Sequence, residues 1–167
     1  MISPLCQLFL DAENELVHDI MGQLRQSTAQ HYLDLEWDEL HRRVQKLVAH
    51  FEIAMKEKPG SFGDYIEALA HERIAEGFFL NEVLTALRIL EERCWRVAAE
   101  SLSPQALVPC LARVTGTIGA AKDRLANVYV HHLEKAEDEA LLWQRRYEEL
   151  AAKVGVSAAA DGSALSA

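Results

Sequence analysis

Along this chain the apolar residues recur at steps of three and four, and no segment alternates with a period of two. Steps of three and four place side chains on one face of an α-helix, whereas a half-buried strand needs a period of two. The few Gly and Pro residues fall between helix-like segments, where they punctuate the pattern. The expected fold class is therefore all-α, a single helical bundle of about five helices with a long C-terminal helix.

A first helix is expected from about Pro4 to Tyr32, with Leu5, Phe9, Ala12, Leu16, Ile20 and Leu24 on one face. Proline suits the first turn because its missing N–H would have had no partner there. A second runs from near Asp34 to near Lys58 on the stripe Trp37, Leu40, Val44, Leu47, Phe51 and Ala54, and Pro59-Gly60 stops it. Ser61 then reads as the N-cap of a third helix, whose stripe is Phe62, Ile66 and Leu69 and which ends near Gly77. A fourth starts at Leu80 or Asn81, with Val83, Leu87, Leu90, Cys94 and Val97 as its seam. Ser103-Pro104 opens the fifth, seamed by Leu107, Leu111, Val114, Ile118, Ala121, Leu125 and Val128.

Past Val128 the phase slips, and Leu133, Ala136, Ala140, Trp143, Tyr147, Leu150 and Val154 resume the same steps one residue out of register. Such a break marks a locally unwound coiled coil or two helical stretches with different partners. Gly116 and Gly119 allow close approach of a neighbour or mark a break, and the three tryptophans occupy core-type positions. Residues 1–154 form the expected domain; from Gly155 to Ala167 small and polar residues dominate, the composition of a disordered tail.

With 167 residues the chain can bury a core as one domain, and its net charge of −9 disfavours nucleic acid and anionic membranes as partners. Cys6, Cys94 and Cys110 are odd in number and lack metal-type spacing, which fits a reducing, cytoplasmic setting. The N-terminus has no basic segment of a signal peptide, and no apolar run reaches the about 20 residues that span a bilayer.

Chemistry-bearing motifs are sparse. A di-metal bundle needs two Glu-x-x-His motifs, and only Glu15-Leu16-Val17-His18 is present, so no metal site is expected. Haem needs an axial ligand in an apolar pocket; His71 and His50 are the positions to weigh, against the commoner surface role of a lone helical histidine. His131 and His132 point in two adjacent helical directions and do not readily share one metal. Arg73 is the anomaly, because the stripe Phe62, Ile66, Leu69 projects through it and a buried guanidinium must be paired. An ion pair with Glu76, Glu82 or Glu92, tying the third helix to the fourth, competes with an anion or ligand contact inside the bundle. Tyr65, His71 and Arg73 are thus the candidate ligand or buried-polar residues. No catalytic residue stands out, since nucleophile elbow, phosphate-binding loop and metalloprotease motifs are all missing.

The pattern Tyr65, Leu69-Ala70, Arg73, Gly77, then Leu80-Asn81-Glu82-Val83-Leu84 and Ala86-Leu87, resembles the RsbR-type N-terminal domain, the sensory half of stressosome co-antagonist proteins. The resemblance spans roughly residues 5–150 and includes two helices before the motif and a long helix after it. It implies a globin-like or related bundle that binds no haem in its best-known members, dimerises, and passes a signal through its C-terminal helix. It assigns no ligand role to Tyr65, Arg73 or Gly77. The usual output domain does not follow, which leaves a fragment of a longer protein or, as the start and tail composition favour, a stand-alone version acting by protein contact.

The resulting expectation is a non-catalytic bacterial sensory domain, a homodimer through its first and fifth helices that transmits a signal or binds a signalling partner through the long C-terminal helix, with no cofactor expected. Trp143, Tyr147 and Leu150 are its candidate interface residues. The alternatives are a haem- or other cofactor-binding gas or redox sensor on the same scaffold, and a metal-dependent helical-bundle enzyme.

Overall fold

The computed structural model describes the backbone of residues 4–56 and 60–163, and the side chains of residues 7–56 and 60–154. Among these residues there are seven helices and no strand: α1 (Pro4–Asp11), α2 (Glu13–Arg25), α3 (Gln30–Leu33), α4 (Trp37–Lys56), α5 (Gly60–Ala75), α6 (Leu80–Ser101) and α7 (Pro104–Ser163). The chain divides into two units, residues 1–129 and residues 130–167.

In the first unit α2 packs against α4 and α6, α4 also meets α1 and α5, and α3 bridges α2 and α6. The expected stripes supply the core. Phe9, Leu16, Ile20, Leu24, Leu40, Val44, Phe51, Ala54, Phe62, Ile66, Val83, Leu87, Leu90 and Cys94 are all buried. Val114, Ile118, Ala121 and Leu125 of α7 complete it. Phe51 stands edge-on between Phe9 and Phe62, at centroid distances of 5.6 and 5.7 Å, and so joins α1, α4 and α5. The first part of α7 is pinned by polar contacts at its rim: Arg113 donates to the Met55 carbonyl (2.6 Å), Lys122 to Glu91 (2.5 Å), and Arg124 pairs with Asp64 and Glu67.

The single helix expected from Pro4 to Tyr32 is instead three. Ala12 sits at φ −97°, ψ 2°, outside helical geometry, and separates α1 from α2. After Arg25 the Ser27 hydroxyl donates to the Leu24 carbonyl and accepts from the Ala29 N–H, a local alternative to the helical ladder. The Arg25 guanidinium then clamps the carbonyls of Leu33 (2.5 Å) and Leu35 (2.6 Å) and holds the turn.

The second helix begins at Trp37 rather than Asp34, and its expected end at Lys58, with Pro59, lies outside the described residues. Ser61 lies within α5, which already includes Gly60, so it is not the cap. Trp37 and Trp95 are exposed rather than in the core; Trp37 lies under the Arg25 guanidinium, whose Cζ is 5.9 Å from the ring centroid. Gly116 and Gly119 neither approach a neighbour nor break α7, since an added Cβ at either would meet nothing within 4 Å. The close approach occurs at Gly63 instead, where a Cβ would lie 3.1 Å from Cδ of Arg124.

The second unit is the remainder of α7. Every described side chain from Val130 to Val154 is exposed, the apolar Leu133, Trp143, Tyr147, Leu150 and Val154 included. The tail expected at 155–167 falls where side chains are not described, and residues 164–167 lie wholly outside the described residues.

Candidate functional site

The site is built around the end of α5. Gly77 has φ +87°, a left-handed conformation that glycine adopts without a Cβ clash. It lets the Phe78 N–H reach the Arg73 carbonyl (2.9 Å) and the Gly77 N–H reach the Ile74 carbonyl (3.0 Å). These two bonds form a Schellman motif, which satisfies carbonyls that the helix end would otherwise orphan. The reversal folds Phe78 back into the interior, where Tyr129 of α7 donates its hydroxyl to the Phe78 carbonyl (3.0 Å).

Two guanidiniums converge on this corner. Arg73 and Arg43 place their Cζ atoms 5.3 and 5.8 Å from the Phe78 ring centroid. Arg43 grips Glu76 through both terminal nitrogens (2.7 and 3.0 Å) and also reaches Glu39 (2.5 Å). Arg73, only 5% exposed, donates from one terminal nitrogen to the same Glu76 (2.9 Å). The Arg43 hydrogen bonds, with Arg73 adding to them, hold the Glu76 carboxyl below the ordinary carboxylate range. Glu76, one of the three carboxylates expected for Arg73, is its partner, yet it lies just beyond the same helix. The tie it makes runs to α4 through Arg43, and not to the fourth helix of the sequence reading. Arg73 is still incompletely satisfied: its Nε is buried and has no hydrogen-bond partner.

Arg73 faces two cavities. The inner one, about 20 Å³, is lined by Tyr32, Tyr65, Arg43 and Arg73 against apolar side chains including Leu24, Leu47, Val83 and Leu87. The outer one, about 90 Å³, has a charged rim that includes Glu39, Arg42, Lys46, Glu72 and Glu76 and shares Tyr65, Arg43 and Arg73 with the first. Burial pushes the Tyr32 phenol upward, and the charge of the Arg73 guanidinium opposes the shift only in part. Burial likewise pushes Tyr65 up to about 12. Both phenols therefore keep their protons at neutral pH. Tyr65 is also stacked on His50, with centroids 3.9 Å apart and planes at 9°.

A second polar junction closes the corner. Buried Glu82 accepts the His31 N–H (2.9 Å), lies 2.7 Å from His31 Nδ1, and accepts the Phe79 N–H (2.9 Å) at the start of α6. Burial pushes the Glu82 carboxyl up, but the hydrogen bonds from His31 and Phe79 outweigh it and hold the group below its ordinary value. His31 also lies against the Phe78 ring, at a centroid distance of 4.8 Å.

Of the residues picked out in the sequence, Tyr65 and Arg73 meet at the cavities, whereas His71 is exposed and lines neither. Trp143, Tyr147 and Leu150 are exposed on the second unit, with the Arg146 guanidinium 5.4 Å from the Trp143 ring. Neither cavity is lined by a histidine, and the inner one is far too small for a porphyrin, so the residues of these cavities do not fit a haem. No group of three or more His, Cys, Asp or Glu among the described residues is placed to hold a metal.

Sequence reasoning missed Tyr32 and Arg43, and it named Glu82 only as a carboxylate for Arg73, whereas Glu82 pairs with His31. Arg43 carried a signal, since it lies three residues after Leu40 and four before Leu47, at the border of the α4 seam. Glu82 meets a residue 51 positions away, for which local spacing gives none.

The model of one protein family, the N-terminal domain of the RsbT co-antagonist protein RsbRD, matches residues 14–146. The fold is similar to that of the globin domain of E. coli DosC in its ferrous form II. That likeness has a TM-score of 0.63 at 12% identity and covers 76% of this chain and 91% of the other. At such identity it establishes a globin-like fold and nothing further. No curated protein matches the chain. The family match runs through α2 to α6 and well into α7, taking in the Arg73–Gly77 corner and the exposed seam as far as Trp143. The chain belongs to the RsbRD N-terminal domain family.

Proposed function

We propose that this protein is a non-catalytic bacterial sensory module that forms a homodimer through the exposed seam of α7 and passes a signal, or docks a signalling partner, along that helix. Family membership supports the signalling role, and a co-antagonist domain is regulatory rather than catalytic by description. The observation that carries the dimer is the seam itself. Leu133, Ala136, Ala140, Trp143, Tyr147, Leu150 and Val154 alternate steps of three and four, the repeat of a two-stranded coiled coil.

All of these side chains are exposed in a single chain. A helix owes most of its stability to packing of its apolar face, and this stripe is packed only when a partner covers it. A second copy supplies an identical stripe, as a closed two-fold interface requires. The same helix carries Val114, Ile118 and Leu125 into the core of the first unit, so a shift of its register there is coupled to the seam.

Size-exclusion chromatography with light scattering tests the reading. The full chain is expected at twice its 18.7 kDa mass, and a version lacking residues 133–167 at the mass of one copy. A monomer whose state is unchanged by the deletion would overturn it.

A further inference from the structure

We propose that the outer cavity at Arg73 binds a free α-amino acid of glycine to alanine size, the carboxylate held by Lys46 and Arg73 and the ammonium by Glu72. This goes beyond the dimer reading and does not depend on it.

Three features define the ligand. The first is the charge left over once the lining has paired with itself. Glu39 is held by Arg42 and Arg43, and Glu76 by Arg43 and Arg73. The Lys46 ammonium has no carboxylate partner among the described residues and lies only over the Tyr65 ring, 5.8 Å from its centroid. The Glu72 carboxylate likewise has no hydrogen bond or ion pair among the described residues. The cleft thus keeps one cation and one anion unpaired. A simple anion would meet Glu72 at like charge and a simple cation would meet Lys46, whereas a zwitterion satisfies both. The second feature is Arg73 itself. It is 5% exposed, shares Glu76 with the two-point grip of Arg43, and keeps a buried Nε without an acceptor. An incompletely compensated guanidinium at the buried side of the cleft draws the carboxylate end of the ligand toward it. The third is size. The volume of about 90 Å³ holds about six water-sized groups, enough for the about five heavy atoms of glycine and one methyl more. The Tyr65 ring and buried Leu69 are the apolar part of the lining, the surface on which that methyl rests.

The test is NMR of the arginine Nε–Hε resonances in the full chain, titrated at neutral pH and constant ionic strength with glycine, L-alanine, sodium acetate and methylammonium chloride. The Arg73 signal, assigned by its loss in Arg73→Lys, is expected to shift saturably with glycine and L-alanine. Acetate and methylammonium each carry one of the two charges and are expected to bind about tenfold more weakly or worse. Glu72→Gln is expected to weaken glycine about tenfold while leaving acetate no weaker, and Lys46→Met to weaken both. Residues 46 and 72 are exposed and outside the core, so these two variants are expected to fold. They carry the test if Arg73→Lys does not fold, with the signal of exposed Arg42 on the same cleft, assigned by Arg42→Lys, as the reporter. No saturable shift into the tens of millimolar, an affinity for acetate or methylammonium equal to that for glycine, or a glycine affinity unchanged in both Glu72→Gln and Lys46→Met would each overturn the site. None of these outcomes depends on the oligomeric state, so failure here is distinguishable from failure of the dimer.

Discussion

Glu52 on α4 gives the clearest pH signature of the core. It is 5% exposed and its Oε1 has no hydrogen-bond partner. Burial, with repulsion from Glu13 and a smaller opposing pull from Lys56, raises its carboxyl from the ordinary 4.5 to about 7. In the unfolded chain the group releases its proton near 4.5, whereas in the folded protein it holds on to about 7. A raised folded value means that the stabilisation is complete below 4.5 and is lost as pH climbs through 7. At about 1.4 kcal/mol per pH unit, the loss from this one group amounts to about 3 kcal/mol. Glu39, Glu76 and Glu82 are lowered and act with the opposite sign, losing stability as pH falls, so the raw curve mixes both trends. The difference between wild type and Glu52→Gln isolates the single group. Urea denaturation followed by far-ultraviolet circular dichroism, at one protein concentration from pH 4.5 to pH 8, measures it. The variant is expected to gain about 3 kcal/mol on wild type across that range. Parallel curves would refute the reasoning and show that the Glu52 carboxylate is solvated or paired.

Three further outcomes are expected. Gly77→Ala forces a Cβ onto a residue at φ +87° and should cost roughly 1–2 kcal/mol, while Gly116→Ala, helical and with open space around it, should gain about 0.5–1 kcal/mol; thermal melts of both check the contrast. Glu82→Gln leaves an amide oxygen for one of the His31 and Phe79 N–H groups but sets an amide donor against the other, and should lower stability by about 2 kcal/mol at pH 7, measured by urea denaturation. Added haemin should develop no Soret band of a protein-ligated haem, because neither cavity presents a histidine; a stoichiometric band would show an axial ligand outside both of them.

Much of the helical architecture can be read from spacing alone. The stripes Leu40, Val44, Phe51 and Val83, Leu87, Leu90 are buried because their steps dictate one face, and Gly77 stops α5 because only the left-handed conformation gives the two backbone bonds that close it. Arg73 stood out because a cation on an apolar stripe must find compensation, and it does so in Glu76 and the Phe78 ring. The break at Ala12 left no such trace, since apolar periodicity continues across it, and at Ser27, where the stripe has already ended at Leu24, local hydroxyl and carbonyl contacts decide the matter. Trp37 and Trp95 share the periodicity of their helices yet lie at the rim, where a large ring covers apolar surface while one edge stays wet. The His31–Glu82 and Arg43–Glu76 pairs join residues 51 and 33 positions apart, and only the packing of helices brings them together.

The central claim is that the exposed seam of α7 is covered by a second copy. Sedimentation equilibrium of the full chain beside Tyr147→Lys tests it directly, because a lysine in the middle of the seam sets like charges against each other across the two-fold axis. Wild type is expected at twice 18.7 kDa and the variant as a single 18.7 kDa chain, with the first unit still helical by circular dichroism. A wild-type monomer, or a dimer undisturbed by the lysine, would contradict it.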